Sequence, residues 1–347
     1  MNGGKHEHHA AGADDAIQGG SQVRERLGLG VIPGAGWSAR DIQEVAREAE
    51  AAGFDAIFST EVNNDALATA QLMGSATERI EVGTWVANIY LRHSYVCAQG
   101  AALIAEATGG RFVLGLGVSH HPVNDALQVD MSEATDDVRR YAAQVQAWLR
   151  GDGPATHLPQ RPASVKVPVY IAAITSRTVE HSAEFADGIM PIFWSPSRVK
   201  QSKTWVDRGR GKAPQLGPLD LTLGVPTFIG DNIEALRQAA RQNLVLYTSF
   251  PFFQRLFRAS GFTTEADLME QSAGVASLSD DLLDAVCLIG PVEKCQQRLA
   301  EFRAAGVDMP ILMPPIGVDG AREVIAAFSR SSDTASARGA AQLSQVS

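Results

Sequence analysis

Along the body of the chain, short apolar runs alternate with stretches of helical pattern. Leu27–Pro33 reads as a buried strand ended by Pro33-Gly34. Ser38 then opens a helix through Ala52: Ser38 with Asp41 resembles a capping box, and Gly53 is the stop. Phe54–Thr60 is the second strand, followed by a helix from about Asp65 to Ala76 and a third strand, Arg79–Ala87. Ser94–Thr108 is helical, closed by Gly109-Gly110, and Arg111–Val118 is the fourth strand. A helix from about Glu133 to Leu149 precedes the loop Gly151–Pro162. Val167–Ala173, Gly188–Phe193 and Leu221–Ile229 are strands five to seven, separated by helices over Ser176–Ala186 and from Pro196 to about Arg208. A helix starts near Asn232, Asp308–Met313 is strand eight, and a last helix lies near Gly320–Phe328.

Strand then helix, repeated eight times, predicts an α/β fold, the (β/α)8 or TIM barrel. Uninterrupted apolar strands such as VPVYIAA suit a sheet buried on both faces. A doubly wound open sheet is the competing fold, but its G-x-G-x-x-G turn is missing from GLGVIPGAGW. Residues 241–283 break the rhythm as a helical insertion between strands seven and eight, carrying Tyr247, Phe250, Phe252, Phe253, Phe257 and Phe262. It could cover the barrel mouth, form a subunit contact, or bury its aromatics in a core of its own. The ends lack periodicity: residues 1–24 and 330–347 read as disordered tails around a barrel spanning 25–329. His6, Glu7, His8 and His9 in the first tail have nothing nearby to pre-organise them around a metal.

Charge and composition act mainly by exclusion. A net charge of −9, without a basic patch, argues against a nucleic-acid partner. Cys97, Cys287 and Cys295 form no C-x-x-C pair and cannot staple a chain of 347 residues, which points to a reducing cytoplasm. No apolar run reaches bilayer length, and the N-terminus has no secretory-signal core, so no membrane association is expected.

In a parallel barrel the residues just past the strand C-termini face the substrate. Here these are Thr60-Glu61, Trp85 to Asn88, Gly117-Val118-Ser119-His120-His121, and Ala173 to Arg177. Glu61 and His120 are the titratable pair suited to general acid–base work. Each also has a bland reading, Glu61 as a helix cap and His120 as a solvated imidazole. Adjacent histidines with Asp125 lack metal-ligand spacing, and no G-x-S-x-G elbow is present, so no metal site or serine nucleophile is expected. Thr175 and Ser176 opening a helix could cradle a phosphate or serve as an ordinary N-cap; Arg177 favours an anion. Trp85, Phe193 and Trp194 are candidate apolar walls.

At these rim segments the chain resembles the luciferase-like monooxygenase superfamily, and within it the oxidoreductases that use the deazaflavin coenzyme F420. The resemblance runs from Leu27 to Phe328 and rests on FDAIFSTE, on the block from Arg79 to Pro122, on VPVYIAAITSRTVEHSAEFADGIMP, and on GPVEKCQQRLAEFRAAGVD. It implies a cofactor ring against a bulge at the end of strand three, with a non-prolyl cis peptide at Trp85-Val86. It further implies cofactor contacts from Thr60, Trp85, Val86, Ala87 and Asn88, backbone contacts from Gly117, Val118 and Ser119, and a phosphate turn at Ala173, Ile174, Thr175 and Ser176. Some family members carry Asp-His at the end of strand two and Glu after strand four. This chain has Thr60-Glu61 and His120 there, so acid and imidazole have changed places. The expectation is hydride transfer between F420 and a small organic substrate, with Glu61 or His120 handling the proton, in a homodimer. An FMN-dependent monooxygenase and a barrel that binds a cofactor without turnover are the alternatives.

Overall fold

The computed structural model describes residues 25–131, 133–152 and 162–330. Residues 1–24 and 331–347, predicted as tails, lie outside the described residues. Arg330, placed in the second tail by sequence, is tied to the body: its N–H donates to the Ala52 carbonyl at 2.8 Å.

Ten strands are present among the described residues: β1 (Gly28–Val31), β2 (Ala56–Ser59), β3 (Glu81–Thr84), β4 (Ala87–Asn88), β5 (Phe112–Gly117), β6 (Val169–Ile171), β7 (Gly188–Ile189), β8 (Asp220–Ile229), β9 (Leu288–Gly290) and β10 (Met309–Met313). Eight of them, in the order β10-β1-β2-β3-β5-β6-β7-β8, pair in parallel, and β10 pairs back onto β8. The sheet therefore closes, which eliminates the open-sheet alternative.

Three differences from the sequence reading matter for the site. The run Arg79–Ala87 is not one strand: it is interrupted at Trp85-Val86, where the peptide is cis, and resumes as β4. Gly83 lies opposite Val113 and Ala87 opposite Leu116, so four steps on one strand face three on β5, a bulge of one residue. The expected strand Gly188–Phe193 stops at Ile189, leaving only a single bridge from Ile192 to Gly224. Finally, β9 and the helix Val292–Ala305 follow the insertion, where the sequence reading runs straight on to strand eight.

Local chemistry explains the element boundaries. Ser38 and Asp41 form a reciprocal capping box, Asp65 caps Ala66–Ala76, and Thr175 with Thr178 forms the box that opens Ser176–Ala183. One apolar layer fills the space between barrel and helices. A second lies inside the barrel, from Ala56, Phe58, Val113, Tyr170, Met190, Met309 and Ile311, with Trp85 and Val86 packed against it. Glycines make room there. A Cβ on Gly224 would lie 2.3 Å from the Trp85 indole, and one on Gly30 would lie 2.6 Å from it. Trp85 is thus a plug in the barrel rather than a side wall.

Candidate active site at the C-terminal rim

Thr60, the Trp85-to-Asn88 bulge, Gly117–Ser119 and Ala173–Ser176 follow β2, β3, β5 and β6, which are consecutive in the sheet. The fold therefore gathers the four sequence-predicted segments on one arc of the rim.

Glu61 is held on every side. Its Oε1 accepts from the Ala66 N–H (3.1 Å) and its Oε2 from the Asn88 N–H (2.6 Å). The Arg92 guanidinium grips both oxygens, with Nη1 3.1 Å from Oε2 and Nη2 on Oε1. The Glu61 side chain is 2% exposed and that of Arg92 12%. Burial pulls the Arg92 pKa down, but the bond to Glu61 and the charges of Glu61 and Asp65 outweigh it and raise the pKa. A carboxylate with four donors and a fixed counter-charge is poorly placed to trade protons with a substrate. In this setting Glu61 ties the end of β2 to Asn88 and to Arg92, in the loop between β4 and the helix Ser94–Ala107.

The network continues beyond Glu61. Asn88, 1% exposed, donates through Nδ2 to Asn124 Oδ1 (2.8 Å) and accepts the Tyr90 N–H (3.1 Å). Asn124 in turn donates to the Val118 carbonyl at 2.6 Å. The ends of β2, β4 and β5 are thereby joined by one polar chain. The Asn88 side chain and the buried Ala87 are occupied internally, so a contact to a cofactor from either would have to come from backbone. Arg92 and Asn124 carried no sequence signal, because each acts on a residue more than 30 positions away.

His120 sits past β5 under aromatic rings of the insertion. Its imidazole stacks on Phe250 (4.8 Å between centroids, 23° between planes) and on Phe252 (5.9 Å, 8°), with Tyr247 edge-on at 5.9 Å. The insertion aromatics also pack on one another and on Phe193. They lie against His120, and Phe250, Phe253 and Phe257 join the main apolar core and not one of their own. The gap behind them, lined by Phe193, Leu244, Tyr247 and Phe257, measures about 10 Å³, room for one water at most. Phe193 (2% exposed) lines only this small buried gap, and Trp194 (0%) is buried.

Several features would suit a ring-and-phosphate ligand. Thr60 Oγ1 is buried without a hydrogen-bond partner. Val86 packs onto Gly117, where a Cβ would lie 2.5 Å from Val86 Cγ2. Ser119 holds a positive φ of 59°, rare for a residue other than glycine. At the turn after β6, Ala173 is buried, and the Ile174 carbonyl accepts from Trp194 Nε1 (3.1 Å) and Arg198 Nη2 (3.3 Å). The Thr175 hydroxyl is engaged with Thr178, whereas Ser176 and Arg177 are exposed at the start of their helix. Among the described residues no cluster of three or more His, Cys, Asp or Glu could hold a metal.

The luciferase-like monooxygenase profile matches residues 21–309. A protein of Mycobacterium tuberculosis, whose name places it provisionally among coenzyme F420-dependent oxidoreductases, is 26% identical over 319 residues, covering 80% of this chain and 92% of that one. The coenzyme F420-dependent tetrahydromethanopterin reductase from Methanopyrus kandleri superposes with a TM-score of 0.72 at 18% identity, covering 88% and 98% of the two chains. The oxygenating constituent of 3,6-diketocamphane monooxygenase from Pseudomonas putida, solved with FMN, superposes with a TM-score of 0.64 at 13% identity, covering 88% and 98%.

Proposed function

Because the chain belongs to the luciferase-like monooxygenase family, we propose that it is a coenzyme F420-dependent oxidoreductase moving a hydride between the deazaflavin and a small organic substrate. The observation that carries this reading is the gathering of the four rim segments on adjacent strands, in a chain whose curated relative bears an F420-dependent name. When bound, the deazaflavin supplies a ring carbon that gives or takes a hydride and reacts poorly with oxygen.

The chain's own residues do the rest. Trp85 and Val86 would back the ring, and Gly117 to Ser119, onto which Val86 packs, would offer backbone beside them. Thr60 offers its buried hydroxyl. The turn Ala173–Ser176 takes the phosphate at the start of its helix, where N–H groups lack intrahelical acceptors. Glu61, Arg92, Asn88 and Asn124 keep these segments in register. His120, at an imidazole nitrogen, holds or delivers the proton that accompanies reduction or oxidation of the substrate, and the aromatic cover above it keeps water away.

FMN is the second reading, favoured by the likeness to the FMN-bound monooxygenase. Parallel titration of the purified protein with F420 and FMN separates the two. Saturable F420 binding with little or none of FMN is expected; FMN binding alone would overturn the F420 reading. Binding of neither would favour a barrel that takes another ligand. We place the protein in the cytoplasm on the strength of three buried, unbridged cysteines, and no helix among the described residues is long and apolar enough to cross a membrane. We further take it to be a homodimer, since the helix Ser94–Ala107 exposes Tyr95, Val96 and Leu103.

A further inference from the structure

The aromatic cover occupies the imidazole face that the proposed chemistry needs. Phe250 stacks on His120 with 4.8 Å between centroids, and Phe252 lies nearly parallel to it at 5.9 Å. A flat molecule between two rings needs about 7 Å, twice the usual carbon–carbon contact. Access to His120 from that side therefore requires the cover to move. Phe252 sits on the helix Pro251–Ala259, and Phe250 is its N-cap residue, so the question is what holds this helix in place.

One face of the helix buries Phe253, Leu256 and Phe257 in the apolar core. Apolar burial is non-directional: it keeps a helix down without fixing where along the barrel it sits. The fixed point is at the other end. Among the described residues, the polar side chain outside the insertion that bonds to this helix is Arg198, whose Nη1 donates to the Ala259 carbonyl at 3.4 Å. Ala259 is the last residue of the helix, so its carbonyl lacks an intrahelical partner and lies where the dipole favours a cation.

Arg198 reaches that carbonyl from the barrel side. It belongs to the helix Pro196–Gly211, is 6% exposed, and lays its guanidinium over Trp205 (5.0 Å) and Trp194 (6.0 Å). Its Nη2 donates to the Ile174 carbonyl at 3.3 Å, which also accepts Trp194 Nε1 at 3.1 Å. Its Nε has no partner, and no neighbouring charge offsets its burial. One fork thus joins the chain just past β6 to the far end of the cover helix. Both bonds are long, so this joint opens more readily than the Arg92 grip on Glu61.

We propose that Arg198 is the positioning residue of the cover: it latches the helix Pro251–Ala259 to the chain after β6, keeps Phe250 and Phe252 over His120, and uncovers the imidazole when the Ala259 carbonyl is released. The consequence for catalysis rests on the reading of His120 as the proton-handling group. The latch itself does not, and its test uses neither cofactor nor substrate.

The probe is diethyl pyrocarbonate, which acylates neutral imidazoles that solvent reaches, applied to the full chain at about pH 8 and read at each histidine by mass spectrometry. Exposed His93 is the internal reference. Arg198→Met keeps an apolar stem over Trp205 and removes both donors. It should raise the modification rate of His120 relative to His93 about tenfold, ~1.4 kcal/mol in the opening equilibrium. Amide exchange should quicken in Pro251–Ala259 and not in Ser94–Ala107. Arg198→Lys, whose single ammonium does not reproduce the fork, should raise the ratio about threefold. An unchanged ratio in Arg198→Met overturns the proposal, as does faster exchange in both helices, which would mean general loosening. If Arg198→Met does not fold, Arg198→Lys decides: a raised ratio supports the latch and an unchanged one overturns it. A raised ratio combined with full turnover in His120→Ala would leave the latch standing and overturn only the reading of His120.

Discussion

At Glu61, four donors converge on two oxygens that water scarcely reaches. Glu61→Gln would leave the Arg92 guanidinium half-paired in a buried setting. Removing one partner of a buried ion pair is the costly change, so stability should fall by about 3 kcal/mol in urea denaturation. His120→Ala removes a ring stacked on Phe250 and Phe252. It is expected to cost about 1 kcal/mol of stability and to leave cofactor affinity within about twofold, while lowering turnover about 100-fold. Full turnover in His120→Ala would remove the imidazole from the mechanism. The two residues looked equivalent in the sequence, both titratable and both at strand ends. What separates them is supplied by Arg92, 31 positions from Glu61, and by Phe250 and Phe252, about 130 positions from His120. Contacts at that separation leave no trace in local patterning.

Among the elements, the β3–β4 bulge depends on its neighbours across the barrel. The Trp85 indole fits because β1 and β8 each present a glycine to it, Gly30 and Gly224. Gly224→Ala would put a methyl group 2.3 Å from Trp85 Cζ2, on a strand held against β10. A loss of about 2 kcal/mol in stability is expected from this overpacking. The double variant Trp85→Leu with Gly224→Ala should recover part of it, and purely additive losses in a double-mutant cycle would show that the two positions are not coupled. The elements legible in the sequence were those with enough length to show a period, such as the helix Ala39–Ala51 and the strand β5. The three-residue β9 and the two-residue β4 and β7 were missed or overrun. So short a run has no period of its own, and its strand state is imposed by β5 or β8 alongside.

For the molecule as a whole, order along the chain was enough to anticipate the barrel, because each strand pairs with the next barrel strand in sequence and the last returns to the first. Closure itself was beyond the sequence, which is why an open sheet stayed in contention until β10 was seen against both β1 and β8. The outer surface carries a further expectation. Val96 and Leu103, seven residues apart on one helix face, are 58% and 66% exposed, with Leu91 and Tyr95 beside them. If this face joins two copies, Leu103→Glu should convert a dimer into a monomer in sedimentation velocity while leaving cofactor affinity intact; a wild-type monomer would refute it. The strand β8 leads to a last consequence. Its first half pairs with β10 inside the barrel, and its end, Thr227 to Ile229, pairs with β9, where the chain returns from the insertion. Everything between Gly230 and Cys287, including the aromatic cover over His120, thus leaves and re-enters on neighbouring strands. Such a segment is a cassette: another could take its place without moving a strand of the barrel, so that the cover above His120 can diverge while the rim beneath it stays the same.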